Sequence, residues 1–394
     1  MSVAKKISNI MEQSSWIRKM FETGSRLKAE HGADAVCDFS LGNPNLEPPL
    51  EFTQTVKKIM TDDLPRKHSY MPNAGYSFVR ESVAGYISKI HHKNIKKDHL
   101  IMTCGAGGAL NVALKTVLNP KDTVITCTPC FVEYKFYTDN HGGVLKLVKG
   151  KEDFNLDVKA IESAITKNTA AVIINSPNNP SGRVYPESTI KELSDMLFKK
   201  SKETGRTIYL ISDEPYRKIV YDGIVVPSIF KHYNNSIIVT SFSKELSIPG
   251  ERIGWLCVHP EAEHWESIIN GCILCNRILG FVNAPALMQR AVAHLLDINV
   301  DVERYKKKRD LLCSNLKNFG YVFGKPEGTF YLFVKAPGGD DLKFVEALQD
   351  ELILTVPGRG FGTPGYFRIA YCVEDKVIEN SLKRFSKVIK KIKV

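Results

Sequence analysis

From about residue 100 to residue 260 the chain alternates between two hydrophobic rhythms. Short unbroken apolar runs recur at His99-Leu-Ile-Met-Thr103, Thr123-Val-Ile-Thr-Cys127, Ala171-Val-Ile-Ile-Asn175, Thr207-Ile-Tyr-Leu-Ile-Ser212, Ile237-Ile-Val-Thr240 and Ile253-Gly-Trp-Leu-Cys-Val258. Each is short and rich in β-branched residues, which predicts strands buried on both faces. The longer segments between them read as helices. This alternation predicts a mainly parallel sheet covered by helices on both sides. No internal repeat or low-complexity stretch interrupts it.

Outside that region the rhythm changes. Residues 1–35 read as helical, with Trp16, Ile17, Met20 and Phe21 on one face and Lys5, Lys6, Arg18 and Lys19 off it. Asp38-Phe-Ser-Leu-Gly-Asn-Pro44 reads as a short strand and a turn. Residues near 285–318 read as long helices that carry Tyr305-Lys-Lys-Lys-Arg309 on their exposed side. Two further strands are expected at Gly328-Thr-Phe-Tyr-Leu-Phe-Val334 and Tyr366-Phe-Arg-Ile-Ala-Tyr371, around a turn-rich Val356-Pro-Gly-Arg-Gly-Phe-Gly362. Near the end, Leu382, Phe385, Val388, Ile389 and Ile392 recur at helical spacing among Lys383, Arg384, Lys387, Lys390, Lys391 and Lys393, predicting an amphipathic helix.

A chain of 394 residues, 43% of them apolar, can fill one large or two ordinary domains. No run reaches the length of a membrane span and no signal-peptide core opens the sequence, so a soluble, cytoplasmic protein is expected. The 9 cysteines are odd in number and scattered, which fits free thiols in a reducing compartment. Cys127/Cys130 and Cys272/Cys275 have zinc-ligand spacing but are far apart in sequence; small buried thiols are the competing reading, and no metal is expected. The net charge of +11 owes much to the terminal helix, where a solvated face accounts for it. No nucleic-acid-binding motif accompanies it, and a positive field equally suits anionic small molecules.

Candidate chemistry gathers where the predicted strands end. The run at 237–240 empties into Ser241-Phe-Ser-Lys-Glu-Leu-Ser-Ile-Pro-Gly-Glu-Arg252, a loop with hydroxyls, an amine and a guanidinium. The run at 99–103 leads to Cys104-Gly-Ala-Gly-Gly-Ala-Leu110, small residues opening a helix whose free amides can cup an anion. That loop lacks the Gly-Lys-Ser/Thr of a P-loop, and no acid is placed for the ribose of a dinucleotide. The run at 171–175 meets consecutive turn signals in Ser176-Pro-Asn-Asn-Pro-Ser-Gly182. The run at 207–212 ends in Asp213-Glu-Pro-Tyr216, an acid where open α/β sheets bind ligands.

Ser241-x-x-Lys244 with Arg252 eight residues on, Asn179-Pro-Ser-Gly182 and Asp213-x-x-Tyr216 together resemble the pyridoxal 5′-phosphate (PLP) aminotransferases of fold type I, the class I/II or aspartate aminotransferase superfamily. The resemblance spans about residues 37–371. It implies an α/β fold: a large PLP-binding domain, 45–285, with a mainly parallel sheet between helices, and a smaller α+β domain formed by 1–44 and 286–394. By the same resemblance Lys244 forms the Schiff base with PLP. Ser241, Ser243 and Arg252 hold its phosphate together with the amides of Ala106 and Gly107. Asp213 pairs with the pyridine nitrogen, and Asn179 and Tyr216 share the phenolic oxygen. Phe131 stacks on the ring, a core phenylalanine being the alternative. Arg368 clamps the substrate α-carboxylate, and Gly42 and Asn179 lie beside the substrate. Tyr70, in a Tyr-x4-Gly segment, reaches the phosphate of a neighbouring subunit, which implies a homodimer with shared sites.

The implied reaction is ping-pong transfer of an amino group between an L-amino acid and a 2-oxo acid, with Lys244, Asp213 and Tyr216 as catalytic residues and an aspartate aminotransferase-like specificity among the options. A dicarboxylate donor would want a further cation, for which Arg277 and Arg359 are the candidates. A β-eliminating carbon–sulfur lyase on the same fold is the alternative activity. A non-catalytic PLP-binding regulator is a third class, for which no DNA-binding region precedes residue 37.

Overall fold

A computed structural model describes residues 3–12 and 16–392. Its centre is a seven-stranded sheet of β1 (Leu100–Thr103), β2 (Thr123–Thr128), β3 (Val144–Lys149), β4 (Thr169–Asn175), β5 (Tyr209–Asp213), β6 (Ser236–Ser241) and β7 (Gly254–Val258). The spatial order is β1-β7-β6-β5-β4-β2-β3. All neighbouring pairs are parallel except those made by β7, which runs against both β6 and β1. The unbroken apolar runs have the expected cause. Val172, Ile173, Leu210, Ile211, Ile237, Ile238 and Val239 are wholly inaccessible because helices cover both faces of the sheet.

One face packs against helices Ser77–His91 and Glu187–Thr204, and the other against Gly105–Val117 and Trp265–Ile278. A second core is assembled from the remainder of the chain. It surrounds the antiparallel strands β8 (Val322–Phe323), β9 (Tyr331–Lys335), β10 (Val356–Pro357) and β11 (Tyr366–Ala370), in the order β10-β11-β9-β8. Helices Val302–Phe319 and Asp375–Ile392 pack on it, and Cys37–Asp38 pairs in parallel with Ile353–Leu354 alongside.

The terminal helix is amphipathic as expected. Phe385, Val388 and Ile389 are buried, and Lys387 and Lys391 face outward and pair with Glu351. The N-terminal region is helical over Lys5–Glu12 and Trp16–His31, while the side chains of Trp16, Ile17, Met20 and Phe21 lie outside the described residues. The expectation for 305–309 is overturned: Tyr305, Lys308 and Arg309 are buried and only Lys306 and Lys307 face outward. Arg309 is neutralised by Asp222 and Asp310, and Lys308 donates to the Val373 carbonyl, so these cations enter the core with partners already supplied. All nine cysteines are free thiols, Cys127, Cys130, Cys272 and Cys275 among the buried ones.

Candidate active site

Five strands of the sheet point at one place. Strands β1, β2, β4, β5 and β6 all run the same way, so their carboxyl ends deliver Ala106, Phe131, Asn179, Asp213 and Lys244 to a common edge. The reversed strand β7 starts at that edge and brings Arg252 with it. The second core closes the space from above with Tyr331 on β9 and Arg368 on β11. The result is a cavity of about 360 Å³ lined by Gly42, Gly107, Tyr216, Ser241 and Ser243 as well as the residues just named. Of the residues predicted to bind cofactor or the substrate carboxylate, Tyr70 is absent from it, as are the two candidate cations Arg277 and Arg359.

Asp213 is buried at the end of β5. Its Oδ2 accepts a hydrogen bond from the Tyr134 hydroxyl at 2.7 Å, while Oδ1 has no partner. Desolvation raises the carboxyl to about 7, against the opposing Tyr134 bond and with a small addition from Glu214. Asn175 braces the same edge: its Nδ2 donates to the Asp213 carbonyl at 2.8 Å and its Oδ1 accepts from the Asn179 amide at 2.7 Å.

The Lys244 Nζ donates to the Gly42 carbonyl at 2.8 Å. Its amine is brought down from 10.5 to about 8 by desolvation, with Arg252 and Arg368 adding to the effect against the Cys372 thiol. Arg368 is 3% exposed and donates to Asn179 Oδ1 at 3.1 Å and to the Ser40 carbonyl at 2.7 Å, while its Nε is unpartnered. Among the described residues no carboxylate pairs with it, and burial lowers its pKa. At the opposite end, Arg252 packs against Gly105, where an added Cβ would lie 2.8 Å from its guanidinium. Gly105 also has φ +70°, so glycine meets both demands at the start of the helix.

Several contributors escaped the sequence reading. Tyr134 sits three residues after Phe131 in one tight turn and packs edge-on against it at 5.6 Å. Tyr331 occupies an unbroken apolar strand, where an aromatic reads as core, and Glu133 and Tyr137 line the cavity from the same segment as Phe131. The glycine at 42 meets a steric demand of its own: a Cβ there would fall 1.8 Å from the Tyr331 hydroxyl. Tyr70 is 88% exposed. Arg277 is exposed near the end of its helix, and Arg359 is held by Asp341 at 2.8 Å beside a separate groove. Neither guanidinium lines the cavity.

A family model described as aminotransferase class I and II matches residues 34–385. A probable aspartate aminotransferase of Methanocaldococcus jannaschii is 31% identical, with 88% of this chain and 91% of the relative covered. The aspartate aminotransferase of Thermotoga maritima is 30% identical over 97% of this chain and 98% of its own. Among solved structures, an amino transferase from Eubacterium rectale superposes with a TM-score of 0.97 at 40% identity, covering 100% of both chains. These relatives are transaminases, which gives the lyase alternative no support. The chain belongs to the class I and II aminotransferases, PLP-dependent enzymes of fold type I.

Proposed function

We propose that the cavity is the active site of an amino acid transaminase in which Lys244 carries the cofactor, with an L-amino acid as donor and a 2-oxo acid as acceptor. The donor set fits pyridoxal phosphate. The orphaned, buried Asp213 Oδ1 suits a protonated ring nitrogen, since a cation there restores the charge that burial disfavours. Ser241, Ser243, Arg252 and the amides of Ala106 and Gly107 form a cluster of donors suited to a phosphate. Asn179 and Tyr216 line the same cavity and carry donors that would suit the phenolic oxygen, and Phe131 has a flat apolar face that would suit the ring. The bound cofactor supplies an aldehyde for condensation with amines and a ring that accepts negative charge from the amino acid α-carbon.

The protein's part follows from its own groups. Arg368, buried without a counter-ion, takes the substrate carboxylate and fixes the amino acid in one orientation. Lys244, with its amine near 8, has a useful neutral fraction at physiological pH; it would take the proton from the amino acid α-carbon and deliver it to the cofactor's former aldehyde carbon, so that the amino group stays with the cofactor and a 2-oxo acid leaves. Asp213 keeps the ring nitrogen protonated. The aspartate aminotransferases among the relatives make aspartate the first donor to test. Tyr70, exposed in one chain, is read as completing the site of a partner subunit in a homodimer of a cytoplasmic enzyme. The large-domain boundary at 45–285, with 1–44 and 286–394 forming the small domain, is proposed on the two separate cores.

The single observation that carries this reading is the meeting of a desolvated lysine and a buried unpaired carboxylate in one polar cavity. The test is absorbance of the purified protein with PLP. A visible band that a donor amino acid bleaches and a 2-oxo acid restores is expected. In K244A the bleachable band disappears and turnover drops by at least about 10⁴-fold. Unchanged turnover in K244A overturns the assignment.

A further inference from the structure

Tyr331 opens β9 inside the second core, yet its hydroxyl reaches the cavity that holds Lys244. Three contacts meet on this one side chain. Its hydroxyl lies 3.1 Å from the Tyr216 hydroxyl. The Arg368 guanidinium carbon sits 4.5 Å from its ring centroid. Its hydroxyl also occupies the space over Gly42, which any side chain at 42 would block.

The backbone is arranged to aim it there. Thr329, two residues earlier, has φ 63°, a left-handed conformation that a β-branched residue rarely adopts. The conformation is held from outside: the Tyr371 hydroxyl donates to the Thr329 carbonyl at 3.0 Å, and the Tyr221 hydroxyl donates to the same oxygen. Thr329 Oγ1 in turn accepts from the Tyr331 amide at 3.1 Å. Two further tyrosines and a strained threonine thus fix where β9 begins. Packing alone would not require that strain, because an ordinary strand entry also buries a tyrosine.

We propose that Tyr331 is a positioning residue of the active site: its hydroxyl donates to the Tyr216 oxygen, so that the Tyr216 proton points into the cavity, and its ring sets the plane of the Arg368 guanidinium. The donor that acts on the cofactor's phenolic oxygen and the clamp for the substrate carboxylate are then aligned by one side chain. The direction of donation has a physical reason. The titratable groups that bear on Tyr331 are Tyr216, Arg368 and Cys372. Burial raises both phenols, but the Arg368 cation opposes this most directly at Tyr331, leaving it the better donor of the pair. The inference rests on the roles assigned above to Tyr216 and Arg368.

The test uses the holoenzyme and two readouts. In the first, the pH midpoint of the bound cofactor's visible band is measured without substrate for the parent enzyme, Y216F, Y331F and the double variant. Loss of a donor to the phenolic oxygen raises the midpoint, so Y216F moves it up. Y331F is expected to move it the same way by about half a pH unit, and the double variant to match Y216F alone. In the second, KM for the amino donor rises about three- to tenfold in Y331L, which lacks the ring, and stays near the parent value in Y331F, which keeps it. A midpoint moved by Y216F but not by Y331F overturns the inference and leaves the active-site reading standing. A midpoint unmoved by Y216F overturns the role of Tyr216, and the inference with it. Should Y331L fail to fold, the Y331F titration decides alone.

Discussion

Arg309 and Arg368 are both buried arginines whose guanidinium lies over a tyrosine ring, Tyr221 at 4.4 Å and Tyr331 at 4.5 Å. Their electrostatics are opposite. Arg309 pairs with Asp222 at 2.9 Å and Asp310 at 2.8 Å, and donates to the Pro326 carbonyl at 3.0 Å. Burial lowers its pKa, but the two carboxylates outweigh this and leave it above the ordinary value. Among the described residues Arg368 has only neutral acceptors, Asn179 and the Ser40 carbonyl, and burial depresses its pKa. A buried cation with its counter-ion built in holds the fold together. One without a counter-ion costs the fold desolvation that no internal partner offsets, which is the basis for proposing that Arg368 takes an anion from outside.

The contrast can be broken at either end. Removing the side chain in R309A costs about 3 kcal/mol of stability by stripping a fully buried, ion-paired group, and lowers the thermal midpoint while KM of the surviving enzyme holds. R368M does the reverse. It lowers kcat/KM for an amino donor by about 10²-fold, mostly through KM, with a thermal midpoint equal to or above the parent's. Loss of stability in R368M with unchanged KM would place Arg368 with Arg309 as a structural cation.

Asp213 extends the comparison to an anion with no cation of its own, and here pH is the probe. Its carboxyl binds a proton more tightly in the folded chain, at about 7, than at its ordinary 3.8. In protein stripped of cofactor, its contribution to stability is therefore present at low pH and lost as pH rises between those values. D213N flattens that part of the profile measured by thermal unfolding against pH. Asp222, whose pKa is lowered chiefly by its hydrogen bond from Arg309, contributes in the opposite sense: stability present above 3.8 and lost as pH falls. D222N gives the smallest change of the set, because Asp222 is exposed to solvent and Arg309 keeps Asp310.

Much of this was legible in the chain itself. The apolar runs at 171–175, 207–212 and 237–240 announced parallel strands because sheets covered on both faces need unbroken apolar segments, and strands lie at 169–175, 209–213 and 236–241. The polar residues after those runs announced the site, because a parallel sheet brings all its carboxyl ends to one edge. Tyr134, Asn175 and Tyr331 were not legible as site residues. Each carries a polar tip on an apolar or small body, and sequence spacing does not say whether that tip meets another side chain or water. The same limit misplaced Tyr305–Arg309: a run of cations reads as solvated until distant carboxylates such as Asp222 are known to lie beside it.

What the sequence determined by itself was the order of elements, the family and most of the polar groups that line the cavity, since these depend on short-range pattern and on motifs read along the chain. Which charges are neutralised and which stand unpaired was decided only in three dimensions. Coulomb interactions and desolvation depend on neighbours brought together from positions far apart, as Arg368 meets Ser40 and Asn179, and Arg309 meets Asp222.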